Sequence, residues 1–364
     1  MKIVHIVPNI ETGGAEKFCI DMCNTLSKEN DVTMIVLDKI QQNETLLPQI
    51  EDSVNLVSMN KEGKSPKTFY NLYCTLKEIN PDVIHTHTRA QVYASIGIIA
   101  LKKPNIHTVH NLAPKEATSS KVRKYYDFLY KKFNFTPVSI SDEVLISVKK
   151  EYGQTHENKI DNGAKALIKT DKFDETSQYI QSLKEDENTK IFVSIGRLME
   201  QKNHLMMIEA FETLFVKGLN AKLLIIGSKK TDSAYAQRCQ DSIKSHDKIF
   251  LLGEKPNIPD FIYNCDAMCL SSIYEGMPIS ILETMSAGVP TISTPVGGVV
   301  DIIDDGVNGY LSKEVNVHSY VKALKRFLEH PTHDKIKTKQ IFDDNYSIET
   351  TAKNYMELYK KVSS

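Results

Sequence analysis

No charge of either sign dominates the 364-residue chain, in which 45 Lys and Arg face 46 Asp and Glu. A nucleic-acid partner therefore has no whole-protein electrostatic support, and any charged partner must be met by a local patch. Cysteine is sparse and unpatterned. Cys19, Cys23, Cys74, Cys239, Cys265 and Cys269 form no Cys-x-x-Cys and no zinc-like set with histidine, which points to a reduced, cytoplasmic protein. Gly-x-Gly-x-x-Gly is also absent, which disfavours a dinucleotide-dependent dehydrogenase. No apolar run reaches membrane-spanning length and no basic-plus-apolar leader precedes the first strand, so neither secretion nor spanning is expected. Repeats of fixed period and low-complexity tracts are likewise missing.

What the chain does have is length for about two domains and apolar material for both. Strand-like runs alternate with helical segments over residues 3–7, 32–37, 55–59, 83–87, 106–110 and 137–140, which predicts a doubly wound α/β sheet with ligand loops at the carboxyl ends of its strands. After the first run, Gly13-Gly14-Ala15-Glu16 opens an amphipathic helix through about residue 26, with Cys19 and Cys23 on one buried stripe. Two glycines before a helix let backbone approach a phosphate or sugar, and they equally suit a plain tight turn. The fourth and fifth runs end in His85-Thr86-His87 and Thr108-Val109-His110, where histidine serves as metal ligand, general base or hydrogen-bonded bystander. No third ligand at metal spacing supports zinc. Ser141 reads first as a helix cap.

Residues 102–150 carry ten basic side chains against four acidic ones, concentrated around a predicted helix over 120–133 that also holds Tyr125, Tyr126, Phe128, Leu129, Tyr130 and Phe133. Basic and aromatic residues on one helix suit an anionic membrane surface, and they also suit a helix packed inward with its lysines in water. Residues 164–189 are polar and weakly periodic, and read as a linker.

The second half resumes the alternation over 191–195, 222–226, 249–252, 266–271 and 289–293. Gly196-Arg197-Leu198 and Lys202-Asn203 precede a helix from about residue 205, so two cations stand ready for a diphosphate or for surface ion pairs. Between the last two strands runs Glu275-Gly276-Met277-Pro278-Ile279-Ser280-Ile281-Leu282-Glu283. Gly276 permits close approach of backbone to a ligand, and Pro278 suits the first turn of a helix whose amides attract anions. Ser280 and Glu283 also fit a capping box, a purely structural use of the second carboxylate.

The Glu pair with seven residues between, the Gly-Arg-Leu/Lys-Asn pair and the Gly-Gly-Ala-Glu loop stand in the order seen in retaining GT-B glycosyltransferases of family 4, and the chain resembles that family over nearly its whole length. The resemblance implies two Rossmann-like domains, an acceptor-binding one over 1–165 and a donor-binding one over 166–345, with 346–364 crossing back to the first. It implies transfer of a sugar, without a metal or other cofactor, from a nucleotide diphosphate, UDP before GDP, to an acceptor in the cleft between them. Glu275 would meet the donor sugar, Glu283 the ribose, and Gly276, Met277, Pro278 and Ile279 the diphosphate end. Arg197, Lys202 and Gly196 would hold the diphosphate, Gly13 and Gly14 would lie beside it, and His110 would line the sugar pocket. Gly253 falls near the base, Gly297-Gly298 near the nucleotide, and Glu16 and Ser141 on the acceptor side. Asp301 stands where the family more often has Glu. At family level the expected acceptor is a lipid-linked glycan of bacterial surface polysaccharide, met by a cytoplasmic enzyme; an inner-leaflet contact through 120–133, the membrane alternative for that helix, would suit such an acceptor. A nucleotide-sugar epimerase and a non-catalytic nucleotide-sugar-binding protein are the other readings.

Overall fold

A computed structural model describes every residue except 12, 42–45, 62–65 and 331–333. The chain divides into two compact units, Met1–Lys165 with Asn345–Ser364, and Ala166–Asp344. Each is built on a six-stranded, all-parallel sheet.

In the first unit the strands are β1 (Lys2–Val7), β2 (Asp31–Asp38), β3 (Asn55–Lys61), β4 (Val83–His87), β5 (Asn105–Val109) and β6 (Thr136–Ser139), in the order 3-2-1-4-5-6. Parallel strands need crossover helices, which cover both faces, so the central strands read as nearly unbroken apolar runs. Ile3, Val4, Ile6 and Val7 of β1 are at most 1% exposed, whereas the edge strand β3 is largely half-buried or exposed. Helix Gly14–Leu26 buries both Cys19 and Cys23, as the stripe predicts. The last helix, Ile348–Ser363, packs on that helix and on β4, with Tyr355 and Tyr359 fully buried.

The second unit repeats the pattern with β7 (Lys190–Ile195), β8 (Ala221–Ile226), β9 (Ile249–Gly253), β10 (Ala267–Leu270), β11 (Thr291–Ser293) and β12 (Gly309–Leu311), ordered 12-11-10-7-8-9. Successive residues of β7 serve opposite faces, as a period of two requires: Phe192 joins Phe211 and Phe327 on one side, Ile191 and Val193 join Phe261 and Ile262 on the other. In both sheets the strand order reverses at one place, between β1 and β4 and between β7 and β10. Loops at the carboxyl ends of those strands flank a crevice, which is where such sheets bind ligands.

Two expectations need correction. The supposed linker 164–189 contains a helix, Phe173–Leu183, that buries only Thr176 and Ile180, and two buried positions in 11 residues give little periodicity to read. Strand β12, three residues long, went unpredicted because it is too short to show a period. Among the described residues no helix is long and apolar enough to cross a membrane.

Candidate active site

At the switch point of the second unit, β7 ends in Gly196, whose carbonyl oxygen would lie 1.9 Å from a Cβ on Gly227. That contact brings the loops after β7 and β8 together and leaves no room for a side chain at 227. Arg197 follows, exposed and with no ion pair or hydrogen bond among the described residues. A short 3-10 turn, Glu200–Lys202, ends at Asn203 in the left-handed region (φ 51°), and helix His204–Phe215 begins. The turn is tied to the loop after β10: Ile273 N–H donates to the Gln201 carbonyl at 2.8 Å, Gln201 Nε2 to the Tyr274 carbonyl at 3.0 Å, and Ser271 Oγ to the Lys202 carbonyl at 2.8 Å.

These ties place Lys202 Nζ 2.7 Å from Glu275 Oε1, which also accepts a 2.5 Å hydrogen bond from Ser272 Oγ. The carboxylate side chain is 8% exposed and the lysine 16%. Glu275 Oε2 takes no hydrogen bond among the described residues, so one oxygen is fixed and the other remains for a ligand hydroxyl. Gly297, at φ 56°, lies under this loop, where a Cβ would come within 1.9 Å of the Glu275 carbonyl oxygen, and Gly298 N–H donates to the Gly276 carbonyl at 2.7 Å. Asp301 lies in the short helix Val299–Ile302 that follows.

Helix Ile279–Ser286 then starts with Pro278 as its N-cap and no side-chain cap, leaving its first amides available to an anion. Ser280 is inside this helix, so the Ser280–Glu283 capping box is not formed; Ile279 and Glu283 are buried on the helix, and Met277 is buried in the loop before it. Gly253 ends β9 at φ 70° with open space where a Cβ would sit.

In the first unit, Gly13 precedes the helix that opens at Gly14, and Glu16 folds back so that its Oε2 would meet a Gly13 Cβ at 2.2 Å. Thr12 lies outside the described residues. Ser141 is a helix cap: its Oγ accepts from Val144 N–H at 3.3 Å and is fully buried. His110 is half-buried at the end of β5, its Nε2 3.0 Å from His87 Nδ1. Burial holds the His110 imidazole down at about 4 and that of His5 at about 3, and lowers His85 and His87 well below the usual range. His5, His85 and His87 bring ring nitrogens within 4.8 Å of one another, yet all six nitrogens are already engaged in hydrogen bonds. A metal there would have to displace them.

A family description, Glycosyltransferase Family 4, covers residues 12–159, and a second, Glycosyl transferases group 1, covers 175–344. The chain belongs to the family 4 glycosyltransferases of GT-B fold. Across 92% of its length it is 26% identical to an Escherichia coli UDP-Gal:alpha-D-GlcNAc-diphosphoundecaprenol alpha-1,3-galactosyltransferase, of which it covers 89%. Across 85% it is 29% identical to a Campylobacter jejuni GalNAc-alpha-(1->4)-GalNAc-alpha-(1->3)-diNAcBac-PP-undecaprenol alpha-1,4-N-acetyl-D-galactosaminyltransferase, covering 84% of it. The crystal structure of Anabaena HepE in complex with UDP and glucose superposes with a TM-score of 0.84 at 18% identity, covering 99% of this chain and all of that one.

Within this glycosyltransferase two features were not read from the sequence. One is the Lys202–Glu275 pair, whose members had been assigned separate tasks. The other is Glu116, whose Oε2 accepts from the backbone N–H groups of His110 (2.6 Å) and Asn111 (3.2 Å) while Oε1 meets His107 Nε2 at 2.9 Å. Glu116 thus fixes the backbone that carries His110.

Proposed function

We propose that the protein is a retaining, metal-independent transferase that moves a sugar from a UDP-sugar to a lipid-linked glycan at the cytoplasmic membrane face, in surface polysaccharide assembly. The observation that carries the donor site is Glu275, with one oxygen held by Lys202 and Ser272 and the other unengaged, directly before an uncapped helix start. In this reading Glu275 Oε2 accepts from a sugar hydroxyl, the amides at the start of Ile279–Ser286 and Arg197, unpaired among the described residues, receive the diphosphate, and Glu283 receives the ribose. The sugar C1–O bond to the diphosphate breaks as the bond to the acceptor oxygen forms on the same face. The acceptor proton passes to the departing phosphate oxygen, whose growing charge Arg197 and Lys202 stabilise. Two relatives, one a UDP-Gal transferase and both acting on undecaprenyl-diphosphate-linked acceptors, support the donor and acceptor classes.

Helix Ser120–Phe133 supports the membrane face. It buries Tyr126, Leu129 and Tyr130 and leaves Phe128 (49%) and Phe133 (39%) exposed among Lys121, Lys124 and Lys132. Calorimetric titration with UDP and GDP, with and without EDTA, tests the site on wild type and Lys202→Ala. UDP binding that ignores EDTA and weakens in the variant is expected. Binding of neither nucleotide would remove the donor-site assignment, and EDTA-sensitive binding would remove the metal-independent one. Release of β-configured product, read by NMR, would overturn retention for an α-linked donor.

A further inference from the structure

A single hydrogen-bonded file runs through the first unit behind His110. Tyr355 OH meets Thr108 Oγ1 at 2.7 Å, and Thr108 Oγ1 meets His85 Nε2 at 2.6 Å. His85 Nδ1 meets Tyr359 OH at 2.6 Å, and Tyr359 OH meets His5 Nε2 at 3.3 Å. His5 Nδ1 meets His87 Nε2 at 3.0 Å, and His87 Nδ1 meets His110 Nε2 at 3.0 Å. Every member except His110 is fully buried. The file joins strands β1, β4 and β5 to the last helix.

Proton counting fixes its direction. Burial keeps the four imidazoles neutral, so each carries one N–H; the two tyrosines and Thr108 carry one O–H each. Seven protons serve six links, so one is left over. If all the links point from His110 towards the helix, the spare proton is that of Tyr355, which has no acceptor besides Thr108. If the direction breaks at Tyr359 or Thr108, a buried hydroxyl proton there is orphaned instead. Each of these arrangements leaves a buried donor unsatisfied, a penalty worth roughly tenfold to a hundredfold in population. Only when all the links point towards His110 does every buried proton find an acceptor. Tyr355 then donates to Thr108, Thr108 to His85 Nε2, His85 Nδ1–H to Tyr359, Tyr359 to His5 Nε2, His5 Nδ1–H to His87 Nε2 and His87 Nδ1–H to His110 Nε2. The spare proton is then on His110 Nδ1, the ring nitrogen with no partner among the described residues. Cys19 Sγ, 3.8 Å from His5 Nδ1, is only a weak second acceptor for that N–H.

We infer that the file from Tyr355 to His110 holds His110 in its Nδ1–H tautomer, so that the open edge of this ring offers a hydrogen-bond donor, not an acceptor, to a ligand oxygen at the end of β5. His5, His85, His87, Thr108, Tyr355 and Tyr359 are thus positioning residues acting through His110. The tautomer follows from the file and the neutrality of its four imidazoles, independently of the donor-site reading above.

The test is nitrogen-detected NMR of the full chain labelled with 15N-histidine at neutral pH, the His110 signals being assigned by their loss in His110→Gln. The expected spectrum shows His110 as one species, protonated at Nδ1 and bare at Nε2. A protonated Nε2 in the wild type would overturn the inference without recourse to any variant. His87→Met removes the last link, and its folding is checked by its melting temperature. It should turn the single His110 tautomer into a mixture, and a folded His87→Met with the wild-type tautomer would show that the file does not set it.

Discussion

Removing Lys202 tests whether its pairing with Glu275 belongs to the reaction or only to the fold. At 2.7 Å the two charges attract by roughly 6 kcal/mol in an effective dielectric of about 20. Desolvation offsets most of that, because the side chains are only 16% and 8% exposed. A hydrogen bond to a charged group retains about 1.5–3 kcal/mol net. Lys202→Ala leaves the Glu275 carboxylate with the Ser272 hydroxyl alone, so it should destabilise by about 2–3 kcal/mol, or roughly 5–10 °C in the melting temperature of a unit this size. Glu275→Gln should cost less, about 1 kcal/mol, because the flexible lysine stem lets its ammonium turn towards water. The double variant lacks the stranded carboxylate and should recover to within about 1 kcal/mol of wild type. Turnover should behave differently, staying about two orders of magnitude down in Lys202→Ala and at least as far down in the double variant, because charge stabilisation of the departing diphosphate is not restored and the Glu275 carboxylate is also gone. Scanning calorimetry and sugar transfer from a UDP-sugar read the two effects separately. A double variant that regains turnover together with stability would refute the catalytic role, and an unchanged melting temperature in Lys202→Ala would refute the desolvated pair.

Gly297→Ala should cut UDP affinity at least tenfold by driving a Cβ into the Glu275 carbonyl, whereas Gly253→Ala, also at positive φ but facing open space, should cost only about 1 kcal/mol of stability; equal loss of UDP binding in both would contradict the packing argument. The histidine file makes the first unit acid-sensitive. Unfolded histidines take up protons near pH 6.5, whereas His5 waits until about 3 and His110 until about 4, so the file's contribution is complete above about pH 6.5 and is lost as the pH falls towards 4. With His85 and His87 shifted the same way, the slope reaches up to roughly 5 kcal/mol per pH unit, and a melting temperature flat between pH 7 and 5 by circular dichroism would be incompatible with it. Phe128→Ala combined with Phe133→Ala should weaken sedimentation with vesicles containing phosphatidylglycerol while leaving UDP affinity unchanged; equal sedimentation would remove this helix from the membrane reading.

The sheets were legible because strands buried on both faces are written as short apolar runs, and the chain punctuates them with glycine and charge where they end. Glu275, Gly276, Arg197 and Gly13 stand at that punctuation, and a ligand loop after a buried strand must carry polar groups and closely approaching backbone. Pairings were not legible. Lys202 and Glu275 are 73 residues apart, and nothing local to either says that one carboxylate oxygen is held while the other is spared. The histidine file was nearer to view. His5 interrupts the apolar run of β1, and a polar ring in a strand covered on both faces must find partners. It pairs in register with His85, and His87 with Thr108, so the strands alone assemble half of the file. The rest lies in Tyr355 and Tyr359, whose spacing on the last helix also suits a plain apolar stripe. Their rings do pack as apolar groups, but four residues apart they also carry two hydroxyls on the same helical face, and fully buried hydroxyls need partners as strictly as histidines do. Polar atoms that interrupt separate apolar elements should therefore be matched with one another before either element is assigned to plain core. In this chain that matching joins the last helix to the ring at the end of β5.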